Sequence, residues 1–187
     1  LANLREDIIK DPFYTKVCPM IGGRAAYRGE EGYEESKQRR EKDQRDIIST
    51  ISNENFDEWM ETLETLAKQK EIIEEWKLGD FKRFLERLSI EKPDMADKFL
   101  EITFKKHGAL VKFSESFLIG FQVAQRFDLW DKYIEKIVNK RNAHLIGGIC
   151  NSLLGYTNEQ SPRKLRANEI AVLEELAFKK KRFAFLK

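Results

Sequence analysis

The chain has 187 residues, 34 Lys+Arg against 32 Asp+Glu, and 41% hydrophobic and 11% aromatic side chains. Two cysteines, Cys18 and Cys150, exclude a disulfide-rich scaffold, and no apolar run approaches the roughly 18 to 20 residues a membrane-crossing helix needs. The apolar content excludes disorder throughout, and a dense charge set whose signs nearly cancel fits solvated helix faces.

Leu1 to Lys10 reads as a short helix with Leu4, Ile8 and Ile9 on one side, ended at Asp11-Pro12 because the residue before a proline is pushed out of the helical region. Because the pattern is already under way at Leu1, the expectation is a piece of a larger protein or a processed terminus. Phe13 to Gly32, with Pro19, Gly22, Gly23, Gly29 and Gly32, reads as an irregular segment packed on something through Phe13, Val17, Met20 and Ile21. Glu34 to Ser52 reads as a helix that enters from solvent through a charged half and docks late through Ile47, Ile48 and Ile51.

From residue 53 the pattern becomes regular. Asn53 or Asn55 caps a helix with Phe56, Trp59, Met60, Leu63, Leu66 and Ala67 at steps of three and four. Ile72, Ile73 and Trp76 continue its stripe to Gly79. Asp80 then precedes Phe81, Phe84, Leu85 and Leu88. Pro93 opens the next helix and Gly108 closes it. Two more follow, one over Ser114 or Ser116 to Phe127 and one from Asp128 through Trp130, Ile134 and Val138. Ala143 to Tyr156 is apolar, and Ser161-Pro162 starts a last helix running toward Lys180. No stretch alternates with period two long enough for a strand.

These elements give an all-α fold, as a short helical-repeat solenoid or an irregular multi-helix bundle. Residues 1–52 are expected as an irregular N-terminal unit or a linker from another domain, and residues 53–187 as the helical domain. An aromatic triplet recurs as Phe56, Trp59, Leu63, as Phe81, Phe84, Leu88, and as Phe127, Trp130, Ile134. With its short helices and connections, the region from Asn53 to Tyr156 resembles HEAT or armadillo architecture. That resemblance implies a stack whose long surface serves as a binding or sensing arm.

Arg141-Asn142-Ala143-His144 resembles the Arg-x4-6-His motif of HEPN ribonucleases, with two intervening residues where that motif has four to six. The resemblance implies that Arg141 and His144 would act together on RNA. Glu75-Trp76-Lys77 with Asp57 or Asp80 contains the Glu-x-Lys triplet of metal-dependent nucleases, which a chain rich in Glu and Lys also produces by chance. Zinc would need all of Cys18, His107, His144 and Cys150, so neither metal nor cofactor is expected. Ile21 to Ala26 and Gly147-Gly148 lack the Gly-Lys-Ser/Thr ending of a phosphate loop.

Ser161 to Lys187 holds eight Lys+Arg against three Glu, and Lys179, Lys180, Lys181 and Arg182 are flanked by Phe178, Phe183 and Phe185. Basic residues interleaved with aromatics hold nucleic-acid backbones or lie on anionic membranes, whereas cations in a last helical turn complement the helix dipole. The leading expectation is a non-catalytic, cytoplasmic protein-interaction or sensing segment of a larger multidomain protein. Its partner is a protein or the remaining domains of a parent chain. Trp59, Trp76, Phe121 and Trp130 serve as anchors where they are exposed, since aromatics dominate hot spots. The alternatives are nucleic-acid binding through Lys179 to Arg182 and a divergent HEPN-like ribonuclease.

Overall fold

The computed structural model describes residues 12–21, 32–68, 78–106, 108–140 and 166–174. They are helical, with no strand among the described residues. The helices are α1 (Pro12–Ile21), α2 (Tyr33–Thr50), α3 (Phe56–Lys68), α4 (Leu78–Glu91), α5 (Pro93–Lys106), α6 (Ser114–Val123) and α7 (Phe127–Lys140). A 3-10 turn, Ala109–Phe113, leads into α6, and residues 167–174 form a further helix, α8.

α1 occupies part of the stretch read as irregular from its prolines and glycines. Pro12 stands at its first position, where a proline N–H is not needed, and Val17 and Met20 are buried. Packing on α2 and α4 carries this helix through Pro19, which sits inside it. α2 also differs from its sequence reading. Its charged half does not wait in solvent: Ser36 is buried, and Arg40 donates to Asp80 at 2.9 Å with both side chains largely covered. Gln44 donates to the Pro19 carbonyl at 2.9 Å, and Arg87 donates to the Glu41 carbonyl at 2.8 Å. Ile48 and Ile51 dock as their spacing indicates, while the contacts of the charged half are polar and leave no apolar periodicity.

α4 is the central helix, in contact with α1, α2, α5 and α6. Phe81, Phe84, Leu85 and Leu88 are all buried. Gly79, expected to stop a helix, lies in the first turn of α4. Side-chain contacts between alternate helices rise together in residue number. Asp80, Arg87 and Lys92, in α4 and just beyond its end, meet Arg40, Glu41 and Ser49 of α2. Lys98, Phe99 and Thr103 of α5 meet Asn53, Phe56 and Glu64, in α3 and just before it. Lys132 and Tyr133 of α7, with Arg126 just before it, meet Asp94, Asp97 and Phe104 of α5. Within each of these pairs the two helices therefore run parallel.

α4 and α6 follow the same rule. Phe81 meets Phe113 edge-on at 5.0 Å, and further along Gly120 crosses Glu86 and Ser89. A Cβ on Gly120 would collide with the Glu86 carbonyl, so glycine is what lets these backbones approach. One core cluster runs from Val17 and Met20 through Ile48 and Ile51 to Tyr133 and Ile137.

Candidate functional site

The segment joining α2 to α3 is fixed by its own polar groups. The Ser52 N–H donates to Asn55 Oδ1 at 2.8 Å, and Asn55 Nδ2 donates to the Thr50 carbonyl at 2.9 Å. Lys92 Nζ donates to the Ser49 and Ile51 carbonyls at 2.8 and 2.6 Å, where a cation complements the C-terminus of α2. The Asn55 carbonyl accepts from Trp59 N, making Asn55 the N-cap residue of α3 while its side chain holds the preceding turn.

This anchored end of α3 stands between two open grooves of about 440 Å³ each. The first lies between α3 and α5. Phe56 and Ile102 contribute its apolar surface, and Asn53, Asp57, Lys98, Glu101 and Lys105 complete the lining. Phe56 is held by stacking on buried Phe99, with ring centres 4.5 Å apart. Lys98 donates to Asn53 Oδ1 at 2.6 Å. Hydrogen bonds from Lys105 and Lys132 pull the Glu101 carboxyl down to about 2.

The second groove is lined by Lys16 of α1, Asp46, Ile47 and Thr50 of α2, Asn55, and Glu58 and Trp59 of α3. Lys16 Nζ pairs with Glu58 at 2.6 Å and sits 4.0 Å from the centre of the Trp59 ring. The charges at both grooves are thus largely engaged in tying helices together. What the arrangement offers a ligand is shape, apolar surface and a fixed pattern of charge.

Of the expected anchors, Trp59, Phe121 and Trp130 are buried, at 4%, 0% and 0% exposure. Phe121 is a core residue, Trp59 lies at the second groove beneath Lys16, and the Trp130 ring is covered in this chain with Arg166 beside it. Phe121 lies 6.2 Å from Tyr133, and Trp130 sits in the α7 stripe with Tyr133 and Ile134. Trp76, Arg141, His144, Lys179, Lys180, Lys181 and Arg182 lie outside the described residues, as do Glu75, Lys77, His107 and Cys150.

Asp57 is exposed in the first groove, while Asp80 is buried against Arg40. Cys18 is half-buried, and no group of three or more His, Cys, Asp or Glu is placed to hold a metal among the described residues. No described helix is long and apolar enough to cross a membrane. The groove residues Lys16, Ile47, Phe56 and Ile102 were not expected as binding residues from the sequence. Phe56 reads there as one more member of a core stripe, and its place at the open end of that stripe, beside Asp57 and Glu58, is the signal that marks it. Comparison with known proteins returns no match to a family model, a curated protein or a solved structure.

Proposed function

We propose that this chain is a short α-solenoid that binds a protein partner without catalysis, through the two grooves flanking the N-terminal end of α3. The observation that carries the reading is the pair of open grooves, each with apolar surface, on either side of one rigidly anchored helix end. Support for the stacked arrangement comes from the parallel alternate helices. Each helix pair then adds to its neighbours, as in a linear array. The side-chain hydrogen bonds among the described residues agree, since none joins positions more than 47 apart. The grooves lie to either side of the start of α3, one against the body of α5 and one against the last turns of α2.

The test is site-specific photo-crosslinking in extract of the source cells. The crosslinker is placed at Asp57 or Thr50 in the grooves, or at Lys82, an exposed position of α4, as the control. The expected result is one protein adduct from the groove positions, unchanged by nuclease and absent from Lys82. That protein, once purified, should bind Phe56→Ala at least about tenfold more weakly, the loss a buried aromatic anchor carries. Adducts that vanish with nuclease, or equal adducts at all three positions, overturn the proposal.

A further inference from the structure

Residues 166–174 lie against α6 and α7 through one arginine. The Arg166 carbonyl accepts from the N–H groups of Glu169 and Ile170, both at 3.0 Å, so Arg166 is the N-cap residue of α8. Its own N–H donates to Glu169 Oε2 at 2.8 Å, one half of a capping box. The side chain does something different. Nη2 and Nη1 reach the two carboxylate oxygens of Asp131 at 3.1 and 3.4 Å, and Nε reaches Glu169 Oε1 at 3.2 Å. The guanidinium carbon sits 4.0 Å from the Phe127 ring centre and 5.1 Å from that of Trp130. Glu169 is fully buried, and Gln122 Nε2 approaches its Oε1 at 3.4 Å.

An aromatic shelf beneath the flat face and a carboxylate fork at the edge are what a guanidinium uses and an ammonium cannot. Phe127, Trp130 and Asp131 stand at i, i+3 and i+4 of α7, one face of one helix. The start of that helix is held independently. Arg126 forks Asp128 at 3.0 Å through both Nε and Nη2, and reaches Asp94 of α5 at 2.7 Å. The start of α7 is therefore fixed by contacts that do not involve the segment filling the site.

We propose that the Phe127–Trp130–Asp131 face of α7 is an arginine-reading site, filled in this chain by its own Arg166. A protein partner takes that place by presenting an arginine at the start of an amphipathic helix. The in-chain occupant specifies the ligand: an arginine, a glutamate three positions on, and apolar residues six and seven positions on, where Val172 and Leu173 pack against the core. The inference rests on the reading of this chain as a protein-binding segment, and it concerns a surface other than the grooves.

The test uses the full chain and a synthetic peptide of residues 164–175. In Arg166→Ala, the amides of 168–174 should exchange at least about tenfold faster while those of α4 keep their protection. The peptide should bind Arg166→Ala at least about tenfold more tightly than it binds the wild-type chain, whose site is occupied. A peptide with lysine at the arginine position should bind at least about tenfold more weakly. Should Arg166→Ala lose protection throughout, Arg166→Lys keeps the charge without the fork and takes the same measurements. Unchanged exchange in 168–174, no binding, or equal binding of the arginine and lysine peptides overturns the proposal. All arms use purified components, so they fail or succeed independently of the groove crosslinks.

Discussion

Gln125 is the described non-glycine residue with positive φ, at 57°. It closes α6: Arg126 N donates to the Phe121 carbonyl at 2.8 Å and Gln125 N to the Gln122 carbonyl at 3.1 Å. This is the double bond pattern of a helix end that ordinarily uses glycine at the left-handed position. The Gln125 side chain is exposed, so little packing compensates. Gln125→Gly is expected to stabilise the protein by up to about 1 kcal/mol, read as a raised urea midpoint at unchanged slope.

Glu86 gives a second prediction at the same scale. Burial raises its carboxyl above the usual carboxylate range, against the lowering pull of Arg83 and Arg87. A carboxyl whose folded pKa lies above its unfolded value favours folding most at low pH, and loses that contribution as pH rises through the folded value. Glu86→Gln should therefore raise the melting temperature at pH 7, with the gain disappearing below about pH 4. A gain that persists at pH 3 would rule out titration as its source. Glu101 has the opposite sign. Its carboxyl is held down to about 2 by Lys105 and Lys132, so its contribution is present above the ordinary carboxylate range and is lost as pH falls toward 2.

At the scale of elements, α4 and α6 approach as closely as their backbones allow because Gly120 faces Glu86 and Ser89. Gly120→Ala forces the helices apart in the middle of the core and is expected to cost about 1 to 3 kcal/mol. A change below 0.5 kcal/mol in chemical denaturation would show that the crossing relaxes freely. α7 is tied to α5 by mixed polar contacts. Tyr133 is buried, its hydroxyl donates to Asp97 Oδ1 at 2.6 Å, and its ring lies 5.6 Å from Phe104. Burial and the Asp97 carboxylate drive the phenol far above the normal tyrosine range, so this hydroxyl stays protonated as a donor. Lys132 spans Asp97 and Glu101 at 2.7 and 3.3 Å, and although burial alone would lower its pKa, these partners raise it. α5 and α7 are thus registered by polar contacts as well as by apolar stripes.

At the scale of the whole molecule, the proposed stack would lose structure from its ends, because in a linear array each unit leans only on its neighbours. Ile137→Ala in α7 removes a buried side chain and costs about 2 to 5 kcal/mol locally. Hydrogen exchange should then accelerate in α7 and 168–174 while α2 and α4 keep their protection. Phe84→Ala at the centre of α4 should instead release protection in every helix. If Ile137→Ala loosens α2 as much as α7, the molecule behaves as one cooperative bundle.

Much of the fold was legible because helix formation here is written locally. Steps of three and four place Trp59, Leu63, Leu66 and Ala67 on one face, Pro93 opens α5, and Gly108 closes it. α1 was illegible because tertiary packing of Val17 and Met20 overrides the propensity of Pro19. The docking of α2 through Ile48 and Ile51 was legible, but that of its charged half was not, because it runs through Arg40, Gln44 and Arg87, whose spacing looks like a solvated face. At the candidate site, an aromatic in a stripe cannot announce whether it sits in the middle or at the rim. Trp59, Phe121 and Trp130 look as fit for a partner as Phe56 does, yet three are covered and Phe56 is left half-open beside a groove.

The sequence alone determined that the chain is helical, where most described helices begin and end, and which side chains are apolar enough to need burial. Those are consequences of backbone hydrogen bonding and of side-chain period, which act within one or two turns. Only the tertiary structure decided which rings are buried, that alternate helices run parallel, and that Phe127, Trp130 and Asp131 converge on Arg166 from at least 35 positions away. Each of those depends on which faces meet across the core, and a contact between residues tens of positions apart leaves no periodic trace in either partner.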